Sequence, residues 1–150
     1  MPIDPRHTVE QVMDGIQTDL LSGDHPIIVA TPNDSLEQAI EWFTRFDVHH
    51  LPVVDSLENR ALMGIVSTVD VLAYVAKHSD HAEAKIAEVM VRDPNTIAPS
   101  TTLAHATQVL AKATYQCLPV VDAHHRCVGI VTVRDLVKYF ASRIEAAQKT

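Results

Sequence analysis

The sequence predicts an α/β (α+β) fold built from two copies of one strand–helix–strand–strand–helix unit. Three observations carry that reading. Leu51-Pro52-Val53-Val54-Asp55 returns unchanged as Leu118-Pro119-Val120-Val121-Asp122, 67 residues further on. Gly64-Ile65-Val66-Ser67 and Asp70 return as Gly129-Ile130-Val131-Thr132 and Asp135, 65 residues further on. Within each copy, short apolar runs alternate with segments whose apolar residues fall at helical spacing. So many matches in one order mark a tandem duplication, and Val9-Glu10-Gln11-Val12-Met13 answering Ile86-Ala87-Glu88-Val89-Met90 extends it to the opening of each half.

In the first copy, Ile27-Ile28-Val29-Ala30 reads as a strand, stopped by Thr31-Pro32-Asn33-Asp34. Asp34 or Ser35 caps the next helix, with Glu37 or Gln38 three residues on. Leu36, Ala39, Ile40 and Phe43 recur at i, i+3, i+4 and i+7 and form its inner face. Trp42 stands off that stripe. Leu51–Val54 and Ala61–Val66 are strands joined by the turn Asp55–Arg60. A second helix starts near Thr68 and points Val71, Leu72 and Val75 inward.

The second copy repeats this order: strand Thr96–Ala98, helix Leu103–Ala113 capped by Thr101 or Thr102, strands Leu118–Val121 and Cys127–Val131, and a last helix from Arg134 to Ala147. The expected boundaries are an arm over 1–8, a repeat over 9–77, a polar linker over 78–85 and a repeat over 86–147. About ten extra residues near Asp14–His25 distinguish the first copy.

Composition narrows the function. With 150 residues, 47% of them hydrophobic and 21% charged, the chain reads as globular and needs no disulfide or metal to fold. Its 12 Lys+Arg face 19 Asp+Glu, a formal charge of −7, which disfavours nucleic acid and anionic membranes as partners. The longest stretch without Asp, Glu, Lys or Arg, Pro94–Ala111, holds two prolines and four threonines and is no spanning helix. Met1–His7 has no apolar core of the signal-peptide kind. Cys117 and Cys127 fall far apart along the predicted hairpin, so both are expected as reduced thiols in a cytoplasmic protein. His78-x-x-His81 and His124-His125 bring neither cysteine nor a placed carboxylate and read as surface histidines rather than metal ligands.

The segment Gly-Ile-Val-Ser/Thr-x-x-Asp holds the chemistry. It delivers Ser67 or Thr132 to a helix start, among N–H groups with no intrahelical partner, where a phosphate is attracted. Asp70 or Asp135, one turn on, would repel a phosphate but accepts hydrogen bonds from the two hydroxyls of a ribose. Sugar on the acid and phosphate on the cap describe a nucleotide. The same spacing is also that of an ordinary capping box, and its recurrence shows common ancestry rather than binding.

These two motif pairs resemble the cystathionine-β-synthase (CBS) domain, over about residues 9–146. The resemblance implies β-α-β-β-α units paired sheet to sheet as a Bateman module, commonly dimeric, with clefts that bind adenosine-type ligands. The ligands it implies are AMP, ADP or ATP, with S-adenosylmethionine, NAD and cyclic di-AMP as alternatives and no obligatory cofactor. Carried over by position, Asp70 and Asp135 hold ribose while Ser67 and Thr132 meet phosphate. The backbone of Ile28, Val29 and Ala30, and of Thr96, Ile97 and Ala98, edges the adenine. Pro52-Val53 and Pro119-Val120 form an apolar wall.

The two sites differ. Arg134 offers a phosphate cation where the first copy has Val69, and the first copy has His49-His50 where the second has Gln116-Cys117. No nucleophile–base pair stands out, so an enzyme is not expected. Two readings remain: a regulatory module that senses an adenine nucleotide or adenosyl ligand for an unknown effector protein, or a dimeric interaction scaffold with vestigial clefts. A homodimer is expected in either, because the second helices, with Val71, Leu72 and Val75 in one and Leu136, Val137, Phe140 and Ile144 in the other, exceed the apolar needs of one small core.

Overall fold

The computed structural model describes residues 6–10, 28–112 and 117–148; the extra residues expected near Asp14–His25 lie outside them. Its elements are α1 (Leu36–Phe46), β1 (His50–Val54), β2 (Leu62–Ser67), α2 (Thr68–Lys77), a 3-10 turn (Ile86–Glu88), β3 (Val91–Arg92), α3 (Leu103–Lys112), β4 (Cys117–Val121), β5 (Cys127–Thr132) and α4 (Val133–Gln148). They form two compact units. Of the described residues, one holds 28–94 with His124–Cys127, and the other holds those before Ile28 with those of 95–123 and 128–148.

In the unit of the first repeat, β1, β2 and β3 form an antiparallel sheet in that order. Ala30 bridges β1 in parallel at Val53. α1 starts at Ser35, whose Oγ accepts the Gln38 amide at 3.0 Å, while Asp34 accepts the Thr31 amide at 2.8 Å and shapes the turn before it. The helix buries Leu36, Ala39 and Phe43 against Leu51, Val53, Val66 and Val71, with Trp42 partly buried beside them. Asp55, at the end of the Leu-Pro-Val-Val-Asp run, accepts the Asn59 side chain at 2.7 Å and the Ala61 amide at 3.0 Å. In this copy the motif aspartate therefore ties the hairpin turn.

Two positions read as inward face outward. Ile40 is 43% and Leu72 is 67% exposed. Helical spacing tells which residues share a side but not how wide the covered stripe is. Here it admits only Leu36, Ala39 and Phe43 on α1 and Val71 on α2, with Tyr74 and Val75 at its edge.

In the second unit β4 pairs with β5, and Ile97 bridges Val120 in parallel as Ala30 does Val53. Thr102 caps α3 by accepting the His105 amide at 3.2 Å. Cys117 and Cys127 are buried thiols. The change of repeat spacing from 67 to 65 residues falls in the hairpin turns, both of which end on a left-handed residue, Arg60 (φ 59°) and His125 (φ 61°).

The opening segments of the two repeats are exchanged. Val9 packs among Ile97, Leu103, Leu118, Val120 and Leu136, in the core of the second repeat. Ile86, the matching residue, packs among Ala30, Leu36, Leu51 and Val71, in the core of the first. The backbone bonds match one for one. Leu103 donates to the His7 carbonyl (2.7 Å), Val9 to Thr101 (2.8 Å) and Glu10 to Pro99 (3.0 Å). Leu36 donates to Ala84 (3.3 Å), Ile86 to Asp34 (2.9 Å) and Ala87 to Pro32 (3.0 Å). His7 adds a 2.6 Å hydrogen bond between its Nδ1 and the Tyr139 hydroxyl.

Gly64 of the repeated motif has a steric reason of its own. A Cβ there would lie 2.5 Å from the Val91 carbonyl oxygen of β3, the strand paired beside it. Gly64→Ala is expected to cost roughly 1–3 kcal/mol in chemical denaturation, since the obstacle is backbone. Ile86→Ala, made outside the first repeat, should cost about 2–5 kcal/mol. Hydrogen exchange should show the loss at Leu36 and Ala39 of the first repeat, with Leu103 and Ala106 of the second protected as before.

Candidate functional site

Strand pairing in each unit decides which of the predicted site residues come together. In the first, the Ala30 amide donates to the Pro52 carbonyl at 2.9 Å and the Val54 amide to the Ala30 carbonyl at 2.8 Å. Strand alternation then aims residue 52 at the Ile28 carbonyl, and proline has no N–H to give it. The Ile28 carbonyl accordingly has no donor among the described residues. Across β1, His50 pairs with Ser67 and Leu51 with Val66, so Ile28, His50 and Ser67 come to the same end of the sheet. Ile28 lies about 10 Å, two strand spacings, from the end of β2. The Thr68 amide donates to the His49 carbonyl at 3.0 Å and holds the start of α2 against the start of β1.

At that end Ser67 and Asp70 are bonded reciprocally. Ser67 Oγ accepts the Asp70 amide at 3.1 Å, and Asp70 Oδ2 accepts the Ser67 amide at 2.9 Å. Thr132 and Asp135 repeat the arrangement, both bonds at 3.0 Å. The capping box read from the spacing is thus formed in both copies. It uses one oxygen of each carboxylate. The other, Oδ1, has no hydrogen-bond partner among the described residues and is available to hydroxyl donors. Asp70 and Asp135 are half-buried, which gives a ligand access and keeps each carboxylate fixed by its cap.

In the second unit the Ile97 amide donates to the Pro119 carbonyl at 3.1 Å and the Val121 amide to the Ile97 carbonyl at 2.9 Å. This ladder sets Ile97 level with Ala30, so Asn95-Thr96-Ile97 occupies the place of Ile28-Val29-Ala30, one residue earlier than the frame Thr96–Ala98. Asn95 is the residue that sequence reading left out, and the 67-residue spacing of the Pro-Val-Val run was the signal for it. Pro119 likewise has no N–H to give Asn95. Pro52, Val53, Pro119 and Val120 are buried, and both valines belong to the hydrophobic cores. Arg134 is exposed beside Asp135, and its counterpart Val69 is exposed and uncharged.

Comparison with known proteins gives the class. The CBS domain family matches residues 9–77 and 86–142. The chain belongs to that family. It is a tandem pair of CBS domains, a Bateman module, whose kind is regulatory and non-catalytic. Among the described residues no group of three His, Cys, Asp or Glu is placed to hold a metal, and no helix is long and apolar enough to cross a membrane.

The CBS domain pair of protein MJ0100, solved with 5′-methylthioadenosine and S-adenosyl-L-methionine, is 27% identical with a TM-score of 0.72 and 93% and 99% of the two chains covered. CBSX2 from Arabidopsis thaliana is 28% identical, TM-score 0.74, covering 93% and 97%. Its complex with AMP is 29% identical, TM-score 0.69, covering 86% and 97%. The L-aspartate semialdehyde sulfurtransferase of Methanocaldococcus jannaschii is 31% identical over 83% of this chain but only 23% of its own length. The chain spans less than a quarter of the curated relatives it matches first.

The surroundings of His50, beside the Ser67–Asp70 turn, shift its titration. Burial is the main cause that holds its pKa below the ordinary 6.5; the adjacent His49 adds to this, and Asp70 opposes it. A histidine with a depressed folded pKa takes up its proton more readily unfolded, so stability is present above the unfolded value and is lost as pH falls through the folded one. Melting temperature should therefore fall on acidification below about pH 6.5, and His50→Gln should flatten that part of the profile.

Proposed function

We propose that the chain is a regulatory module that senses an adenine nucleotide or adenosyl ligand at the Ser67–Asp70 and Thr132–Asp135 turns. The observation that carries this reading is the pair of fixed, half-satisfied carboxylates, each with one oxygen spent on its cap and one available. In this reading Asp70 and Asp135 accept the ribose hydroxyls. Ser67, Thr132 and those amides at the starts of α2 and α4 that the caps and the Thr68–His49 bond leave open meet phosphate, which Arg134 assists in the second repeat.

The adenine edge lies along Ile28–Ala30 and Asn95–Ile97, where the Ile28 carbonyl suits an amino donor. Pro52-Val53 and Pro119-Val120 stand behind it as apolar wall. AMP, ADP or ATP are the first ligands to test, with S-adenosylmethionine, NAD and cyclic di-AMP next; the CBSX2 and MJ0100 complexes support an adenosyl class. The occupied state is passed to an effector protein in the cytoplasm.

A second reading, a dimeric scaffold with vestigial sites, has its own observation. Leu72, Val137 and Ile144 are 67%, 59% and 52% exposed on α2 and α4. Such apolar side chains suit contact with a second copy. A homodimer belongs to both readings, and sedimentation at micromolar concentration is expected to show a species of twice the chain mass.

Ligand binding separates the two. A ligand at 100 times its dissociation constant stabilises by about 2.7 kcal/mol, a melting shift of roughly 5–10 °C at this length. Asp135→Ala should remove most of the shift from the second turn while changing the unliganded melting point by only about 2–4 °C, the effect of a lost cap. Arg134→Ala should weaken ATP and ADP more than adenosine. No shift with any of the six ligands would favour the scaffold. A shift that survives both Asp70→Ala and Asp135→Ala would place the ligand elsewhere.

A further inference from the structure

The two turns differ in the cation that stands beside them. Arg134 precedes Asp135 and is exposed, whereas the equivalent residue before Asp70 is Val69. The first repeat has an imidazole instead. His50 is the direct partner of Ser67 in the β1–β2 pair. Residues so opposed send their side chains from the same face of the sheet, with Cβ atoms about 4.5–5.5 Å apart. His50 is half-buried, and the groups that act electrostatically on it are His49, the exposed residue just before the strand, and Asp70 on α2.

Resting on the reading that both turns hold an adenosine-type ligand, we infer that His50 makes the first-repeat site a proton-dependent one. It takes an uncharged adenosyl nucleoside while the ring is neutral and a phosphorylated one once the ring is protonated. The second site, with a permanent guanidinium, takes phosphate throughout. A neutral imidazole offers one donor and no charge, while an imidazolium offers two donors and a charge-assisted bond to phosphate. Burial and His49 keep the ring neutral near pH 7. A bound phosphate works against both, so proton uptake and phosphate binding reinforce each other and affinity rises as pH falls. The His50 ring makes no hydrogen bond among the described residues, and Asp70 acts on it only through its charge, so the ring can serve the ligand.

The test is calorimetric titration of AMP and of adenosine into the full chain carrying Asp135→Ala, at about pH 5.5 and about pH 8, on either side of the ordinary imidazole value. The chain carrying Asp70→Ala, which keeps the Arg134 site, gives the part of any pH response that belongs to the phosphate's own titration. Relative to that reference, AMP binding to the Asp135→Ala chain is expected to tighten roughly tenfold at the lower pH, with adenosine changed by about twofold or less. His50→Gln in the same background should remove the AMP response and leave adenosine binding in place.

An AMP response equal in the two aspartate variants, or one that persists in His50→Gln, overturns the inference. Adenosine bound at the first turn without any AMP response overturns it alone, and adenosine failing to bind there at either pH overturns the nucleotide reading beneath it as well. The unsubstituted chain gives the same answer by NMR. The His50 ring titration should move upward on adding AMP and stay in place on adding adenosine, and an unmoved ring with AMP bound at that turn refutes the proposal.

Discussion

Both units depend on one docking event, made twice. A short segment from outside each repeat lays one fully buried aliphatic residue into its core and donates or accepts three backbone hydrogen bonds around the start of its first helix. The bonds satisfy groups that the chain reversal at Pro32 or Pro99 would otherwise leave open, and the aliphatic residue excludes water from them. Helix starts carry amides with no partner inside the helix. Here the Leu36 and Leu103 amides are answered by the docked segment and the Gln38 and His105 amides by Ser35 and Thr102. That fixes α1 and α3, and through their buried stripes it fixes the strands whose ends present the turns.

At those turns folding and recognition use one group. The reciprocal bond between Ser67 and Asp70, or Thr132 and Asp135, is a helix cap, and it also holds the carboxylate still with one oxygen unspent. A side chain already anchored by its fold loses less freedom when a ligand hydroxyl reaches it. Structure and chemistry at this motif are therefore one arrangement seen from the two oxygens of a carboxylate. The prolines act in the same double way, since Pro52 sits in the ladder as an acceptor and withholds the donor that would have covered Ile28.

Much of this was legible in the chain. The duplication, the order of helices and hairpin strands, the turn at Asp55–Arg60 and the Ser67–Asp70 spacing follow from local pattern. The expected strands at Ile27–Ala30 and Thr96–Ala98, by contrast, are single bridges at Ala30 and Ile97, and β3 was not foreseen. Three further features were not legible. The depth of Ile40 and Leu72 depends on how much of each helix its neighbours cover, which periodicity does not contain. The partner of Val9 and Ile86 is a choice between two nearly identical docking places, and similarity between the copies hides which is taken. The frame of Asn95–Ile97 is set by hydrogen bonds to Pro119 and Val121, and polar Asn95 does not look like the apolar Ile28 whose place it fills.

The exchange of opening segments also bears on how such a chain came to be. In a single copy closed in the same way, the segment would come from a second molecule and the unit would be complete only as an intertwined pair. The tandem chain supplies both segments from one polypeptide. The legacy is that neither half is an independent module of heredity: a recombination event that cuts between the copies separates each core from its own closing segment.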